Sequence, residues 1–424
     1  MSLSTIEFPR MVEVRQRIPS PMLEDFVAEI RNELRRANLQ EKIKPGSSIA
    51  VTAGSRGIAH YVKILATVVE EVKRVGGKPF IVPAMGSHGG ATSEGQITIL
   101  EELGITPETV GAPILATMEV EIIGRLENGV PVYLNRNALR ADGIIVVARV
   151  KPHTDFKGKI ESGLMKMMAI GLGNQKGAET IHHFYGEGYH KLLPEVARVI
   201  IERAPIILGL AVVENARHEI AIVKAIEPRR IEAEEMHLLE KAKEMLGRIP
   251  FKEVDVLIVD EIGKDTSGLG MDTNVTGRFW LPGEFEPSAP KIKRIVALDL
   301  TEKTRGNALG IGLADFATQR LVQKIDYQST LMNVLTSGHP ELGKIPVYLP
   351  SDREAIAAAL KTCGPIRSGD AKVVRIRNTL ELERFWISES LCNLVKSDPE
   401  LKERLEILGE PIEMRFDTLG TLAS

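Results

Sequence analysis

Cysteine is scarce: the 424-residue chain holds two, Cys363 and Cys392. Two thiols cannot build a disulfide framework or a four-thiolate iron–sulfur cluster. Neither lies in a CxxC or beside a histidine, so both read as small buried hydrophobes. Aromatic residues make up 4% of the chain, too few for a surface on which nucleic-acid bases stack. The formal net charge is −3 with no Lys/Arg-rich run, which gives no electrostatic reason to expect nucleic acid. Long apolar runs are missing, and the longest, Ile206 to Val213, is far too short to span a bilayer. The opening MSLSTIEFPRMVEVRQ carries no apolar signal core, so the expected address is cytoplasmic, away from any membrane. No GxxxxGK[ST] occurs, and Gly171-Leu-Gly-Asn-Gln-Lys-Gly177 departs from GxGxxG at Lys176, so P-loop or dinucleotide binding is weakly supported.

What is present is an ordinary globular composition, 43% hydrophobic and 26% charged, long enough for two domains. Leu23, Phe26, Val27, Ile30 and Leu34 recur at helical spacing and predict a helix over 21–36. Ser48-Ile-Ala-Val-Thr then reads as a buried strand, followed by Ala53-Gly-Ser-Arg-Gly57 and a helix over 58–75. Lys78 to Pro83 is a second strand, followed by Ala84-Met-Gly-Ser-His-Gly-Gly-Ala-Thr-Ser93 and a helix to Leu103, with Ser93 and Gln96 at capping-box spacing. Strand, Gly/Ser loop and helix thus occur twice, which argues for a parallel α/β sheet. Residues 119–134 read as a hairpin turning at Glu127-Asn-Gly-Val, and 143–148 as a further buried strand. Next come a helix near 192–203, strands near 206–213 and 219–226, and a charged helix near 230–246. Gly247-Arg-Ile-Pro250 is a plausible joint. The second half predicts strands at 255–260, 294–298 and 346–349, a long loop over 261–290, and helices near 312–324, 352–360 and 379–395. The expected architecture is two α/β domains with largely parallel sheets, residues 1–248 and 249–424, the last residues returning to the first domain as an option, with an active site in the cleft between them.

The densest chemistry lies in Arg149 to Gly186, RVKPHTDFKGKIESGLMKMMAIGLGNQKGAETIHHFYG, directly after the strand over 143–148. Ligand sites of open α/β sheets lie at that end of a strand. His153 follows Pro152, and His88 sits between glycines in Gly86-Ser-His-Gly-Gly90. Two histidines on separate strand-end loops suit a two-base reaction, because imidazole titrates near neutrality. Ser55-Arg56 occupies the same place after the first strand, where a guanidinium could clamp a carboxylate or the loop could hold a phosphate. Lys166 lies among Leu164, Met165, Met167 and Met168, an apolar setting that would make its amine nucleophilic. The bland readings of these residues are a turn histidine, a surface ion pair and a snorkelling lysine. His182 and His183 point about 100° apart on a helix, so at most one of them binds a given metal.

Together these patches resemble the nickel-pincer-nucleotide lactate racemase family. Gly86-Ser-His88-Gly-Gly-Ala-Thr is similar to its first catalytic histidine loop, and Pro152-His153 to its second. Ser162-Gly163-Leu-Met-Lys166 resembles the segment whose lysine tethers the cofactor, and His182 falls at the spacing of the nickel-binding histidine. Ser55-Arg56 is similar to the family's Thr-Arg, and Met271-Asp272-Thr273-Asn274 to a stretch of its second domain. The resemblance implies a 2-hydroxy-acid racemase or epimerase in which hydride moves reversibly to the tethered nickel-pincer nucleotide. His88 and His153 would then be acid and base, and Lys166, Ser162 and Gly163 would hold the cofactor. His182 would be the metal ligand, and Ser55, Arg56, Asn274 and Arg278 would bind substrate. Partners would be a small hydroxy acid and cofactor maturation proteins. Two residues are inserted between His153 and Lys166, which leaves Lys157 and Lys159 open as tethers and His183 as the fallback ligand. Beyond Asn274 the family's Tyr-Gln and later Lys give way to Thr276, Gly277 and Arg278, so the pocket differs from that of lactate racemase itself. The rival readings are a nicotinamide-dependent oxidoreductase and a non-catalytic metabolite-binding homologue. Substrate identity and oligomeric state are not legible.

Overall fold

The computed structural model describes Leu3 and residues 5–281 and 283–423. The chain divides into two compact units. One comprises Pro19–His153 and Lys157–Leu246, and the other the residues up to Ile18, Thr154–Phe156 and those from Gly247 onward.

The 19–246 unit is built on a five-stranded sheet in the order Lys78–Pro83, Ser48–Ala53, Gly143–Arg149, Ile206–Glu214, Ile220–Ile226. The first four strands are parallel and the fifth is antiparallel. Ile144, Ile145, Val146 and Val147 are all fully buried, the pattern of a parallel strand covered on both faces. One face carries the helices Phe26–Arg36 and Tyr61–Arg74, whose Ile30, Leu34, Ile64, Leu65 and Val68 share a core with Val51, Val147 and Leu210. The helices Leu193–Arg203 and Ile231–Glu244 belong to the same unit, as does a separate hairpin, Val120–Arg125 with Pro131–Asn135. Among the described residues no helix is long and apolar enough to cross a membrane.

The other unit has an eight-stranded sheet in the order Val347–Leu349, Phe316–Thr318, Lys291–Leu300, Glu253–Ile262, Val373–Ile376, Arg384–Ser388, Met11–Gln16, Leu405–Ile407. The first five strands are parallel and the last three join antiparallel. Alternate residues of Glu253–Ile262 enter different cores, as a two-residue side-chain period requires. Val256 and Ile258 pack with Ile356 and Leu360, while Leu257 and Val259 pack with Leu391 and Val395.

Local readings failed in several places. The segment 312–324 is not one helix, because Phe316–Thr318 extends as a strand and Thr318 then caps the short helix Gln319–Gln323 by accepting from the Leu321 amide. The helix expected over 379–395 begins only at Glu389. Its first part is the strand Arg384–Ser388, where Phe385 and Ile387 are buried in alternation. Met11–Gln16, not anticipated as a strand, finds its partner in that same segment from the far end of the chain.

The helix Ser93–Glu102 is capped by Thr92 rather than Ser93: the Thr92 hydroxyl accepts from the Gly95 amide at 3.0 Å. Gln96 does not close a capping box; its Nε2 reaches back to the Gly86 carbonyl at 3.1 Å. Thr92→Ala should therefore cost about 1 kcal/mol by chemical denaturation, and Ser93→Ala less than about 0.5 kcal/mol.

Candidate active site

Three neighbouring parallel strands, Lys78–Pro83, Ser48–Ala53 and Gly143–Arg149, deliver the loops of His88, Arg56 and His153 at their carboxyl ends. The Arg56 loop is pinned on both sides. The Tyr61 hydroxyl accepts the Gly54 amide at 2.7 Å, and Glu214 Oε1 accepts that of Ala59 at 2.6 Å. Burial pushes the Tyr61 phenol up to about 12, so it stays neutral. Burial alone would raise Glu214, but His218, Arg149 and the Ala59 amide outweigh it and hold the carboxylate at about 2. Ser55 is half-buried between these anchors and Arg56 is exposed.

The His88 ring is exposed, and its Nδ1 donates to the Met85 carbonyl at 2.8 Å. In the neutral ring that bond makes Nε2 the basic nitrogen. The loop bends at Gly86, whose φ is +60°. Its amide donates to the Gly171 carbonyl at 3.2 Å, and a Cβ there would press on Ile170 and Ala178.

Gly171 ends Met167–Gly171, one turn wound as a π-helix immediately after Lys166. Such turns cluster at functional sites. Before Lys166 the chain folds back on itself, with Ser162 and Lys151 exchanging backbone hydrogen bonds at 3.0 and 3.3 Å. The buried Glu235, from the helix Ile231–Glu244, then accepts the Met165 amide at 3.0 Å. Gly163 makes room for it, since a Cβ there would overlap the Glu235 carboxyl group. Burial pushes the Glu235 carboxyl up to about 7.

Held in this way, the Lys166 amine donates to Nε2 of His153. Lys157 donates instead to the His153 carbonyl at 2.8 Å, and Lys159 is exposed. Of the three candidate tethers, Lys166 is thus the amine set against the imidazole. His182 ends the helix Asn174–His182 and is half-buried, its ring 5.7 Å from that of the buried Tyr189. Tyr189 also lies 6.3 Å from His153. His183 is exposed, edge-on to Phe184 at 5.7 Å. Burial first, then the charges of Lys166, Lys151, Lys157 and His182, push the His153 imidazole well below its usual range. It is therefore neutral at pH 7, the form in which an imidazole accepts a proton.

The remaining two expected substrate residues belong to the other unit. Asn274 is fully buried, its side-chain amide donating to Asp272 Oδ1 at 2.7 Å. Arg278 donates to Asp315 at 2.5 Å and to the carbonyls of Leu313, Ile292 and Lys293 at 3.1–3.3 Å. Four of its five N–H groups are engaged in that unit. Sequence reading also missed Glu161, Glu235 and Tyr189. Glu235 carried a signal, because it shares an apolar stripe with Ile231, Leu238 and Leu239 on an otherwise charged helix.

Residues 7–188 match the family model of the lactate racemase N-terminal domain. That stretch resembles a lactate racemase N-terminal domain. It carries Arg56, His88, His153, Lys166 and His182. Among solved structures, the chain is similar to the lactate racemase apoprotein from Thermoanaerobacterium thermosaccharolyticum, with a TM-score of 0.51 at 15% identity over 88% of this chain and 99% of that one. It is also similar to a protein from Thermotoga maritima, with a TM-score of 0.50 at 14% identity over 86% and 99%. At such identities the likeness speaks of the fold. No curated protein matches the sequence.

The raised carboxyl gives a pH test. Between the ordinary 4.5 and about 7, folded Glu235 holds a proton that the unfolded chain has released, so its contribution to stability falls as pH rises. Across that window the wild type should lose about 3 kcal/mol relative to Glu235→Gln in denaturant titrations at successive pH values. Gly163→Ala should destabilise by about 1–3 kcal/mol, and combining it with Glu235→Ala should recover part of that loss.

Proposed function

We propose that the chain is a racemase or epimerase acting at C2 of a 2-hydroxy acid. The observation that carries this reading is the Lys166 amine set against Nε2 of a neutral His153, with His182 grouped around the same tyrosine. The match of residues 7–188 to the lactate racemase N-terminal domain supports it.

A nickel-pincer nucleotide fits the donors present. Among the described residues, no group of three or more His, Cys, Asp or Glu side chains converges as a metal-ligand set. Both cysteines are buried in the other unit. A metal at this place therefore needs donors that arrive with a bound group. Lys166 would hold that group covalently, Ser162 and Gly163 would flank it, and His182 would supply the protein's metal ligand. When bound, it supplies a hydride acceptor at C2 that can return the hydride to either face.

The chain's own residues do the rest. With the Lys166 amine taken up in the tether, Nε2 of neutral His153 is released to accept the substrate hydroxyl proton. Burial and the neighbouring lysines disfavour its charged form, so the proton is readily returned. His88, with Nε2 as its basic nitrogen, performs the same exchange for the opposite enantiomer. Arg56 clamps the substrate carboxylate and keeps the planar keto-acid in place between the two half-reactions.

Protein produced together with cofactor maturation proteins should show an added mass on Lys166 and none on Lys157 or Lys159. Active protein without that adduct would overturn the tether. With L-lactate and a panel of sugar acids in D2O, inversion should proceed with protium retained at C2; deuterium at C2 would mean proton abstraction instead. His153→Ala and His88→Ala should each lower turnover by roughly 10²–10⁴-fold with the adduct intact.

A further inference from the structure

We infer that Glu161 is a positioning residue that aims the His153 imidazole through its backbone, with Lys157 as the other jaw of the clamp. This role rests on the reading of His153 as a base.

The Glu161 side chain is fully buried. Its Oε2 accepts the His153 amide at 2.6 Å and the Lys157 amine at 3.3 Å. Its Oε1 accepts the Gly158 amide at 3.3 Å and pairs with Lys243 at 3.3 Å. Lys157 in turn donates to the His153 carbonyl at 2.8 Å. The N–H and C=O of one residue are thereby tied to opposite members of one ion pair, which closes a ring through the His153 backbone. Turning either backbone dihedral of His153 breaks one of these charge-assisted bonds. The imidazole, carried on the Cα between them, is held against Lys166.

A buried ion pair is a poor way to gain stability, since well-packed apolar residues often do as well. Its location at the backbone of the base accounts for it through geometry. It also assigns Lys157 to the clamp rather than to the cofactor. Lys243 lies on the same helix as Glu235, Ile231–Glu244. One helix therefore supports both reacting side chains, His153 through Lys243 and Glu161, and Lys166 through Glu235. That helix lies outside the matched residues 7–188.

The test is an amide spectrum of the full chain labelled with 15N only at its nine histidines. His153→Gln identifies the His153 peak by its loss. A short bond to a carboxylate should place that peak far downfield. Glu161→Gln, which keeps the shape and removes the charge, should move it upfield and leave the other eight in place. Glu161→Asp, which keeps the charge and withdraws it by one methylene, should move it partway, and serves alone if the Gln variant does not fold. A His153 peak among the others, or one unmoved in both variants, overturns the clamp. In matured protein with L-lactate as probe, Glu161→Gln should lower kcat about 100-fold at unchanged KM and intact Lys166 adduct. A raised KM with unchanged kcat would overturn the positioning role. Wild type that inverts no hydroxy acid would remove the proposed function, while the amide spectrum would still decide the clamp.

Discussion

An imidazole held uncharged among amines is the constraint on which the rest of this site depends. His153 meets the Lys166 amine at Nε2 and feels Lys151 and Lys157 as well. In water such a grouping would be indifferent. Under partial burial each neighbouring cation makes protonation of the ring costlier, and the free base persists. The same crowding is unstable unless each charge has a counterpart. Glu161 provides one for Lys157 and Lys243.

The surrounding fold reads as a set of supports for that contact. Parallel strands end their loops on one edge of a sheet, because each crossover helix returns the chain to the opposite edge. The loops of Arg56 and His88 are then fastened by groups outside them: Tyr61 and Glu214 for the first, Gln96 and Gly171 for the second. Lys166 stands between a carboxyl-capped turn and a π-helical turn. Under the proposed function, fixing these groups before substrate arrives removes an entropic cost from the reaction itself.

How much of this was legible follows from the range of the interactions. The strands of the 19–246 unit were readable because their apolar runs are local and Gly-rich loops mark their ends. His88 and His153 stood out for that reason. Lys166 stood out by its apolar setting, and His182 was singled out from His183 by resemblance to a known family. Glu161 and Glu235 did not, since the partners that define them, Lys243 and Met165, come from other parts of the chain. The partners of Arg278, Asp315 and three carbonyls, were likewise invisible in sequence. The strand Met11–Gln16 was missed because its pairing is with residues near the other terminus.

The most direct test of the central claim is a side-chain titration of His153 by NMR in cofactor-free protein with ring-labelled histidine. The ring should remain neutral well below the ordinary 6.5, and Lys166→Met should move its titration back toward that value. A His153 ring that titrates at or above 6.5, unmoved by loss of Lys166, would contradict the account.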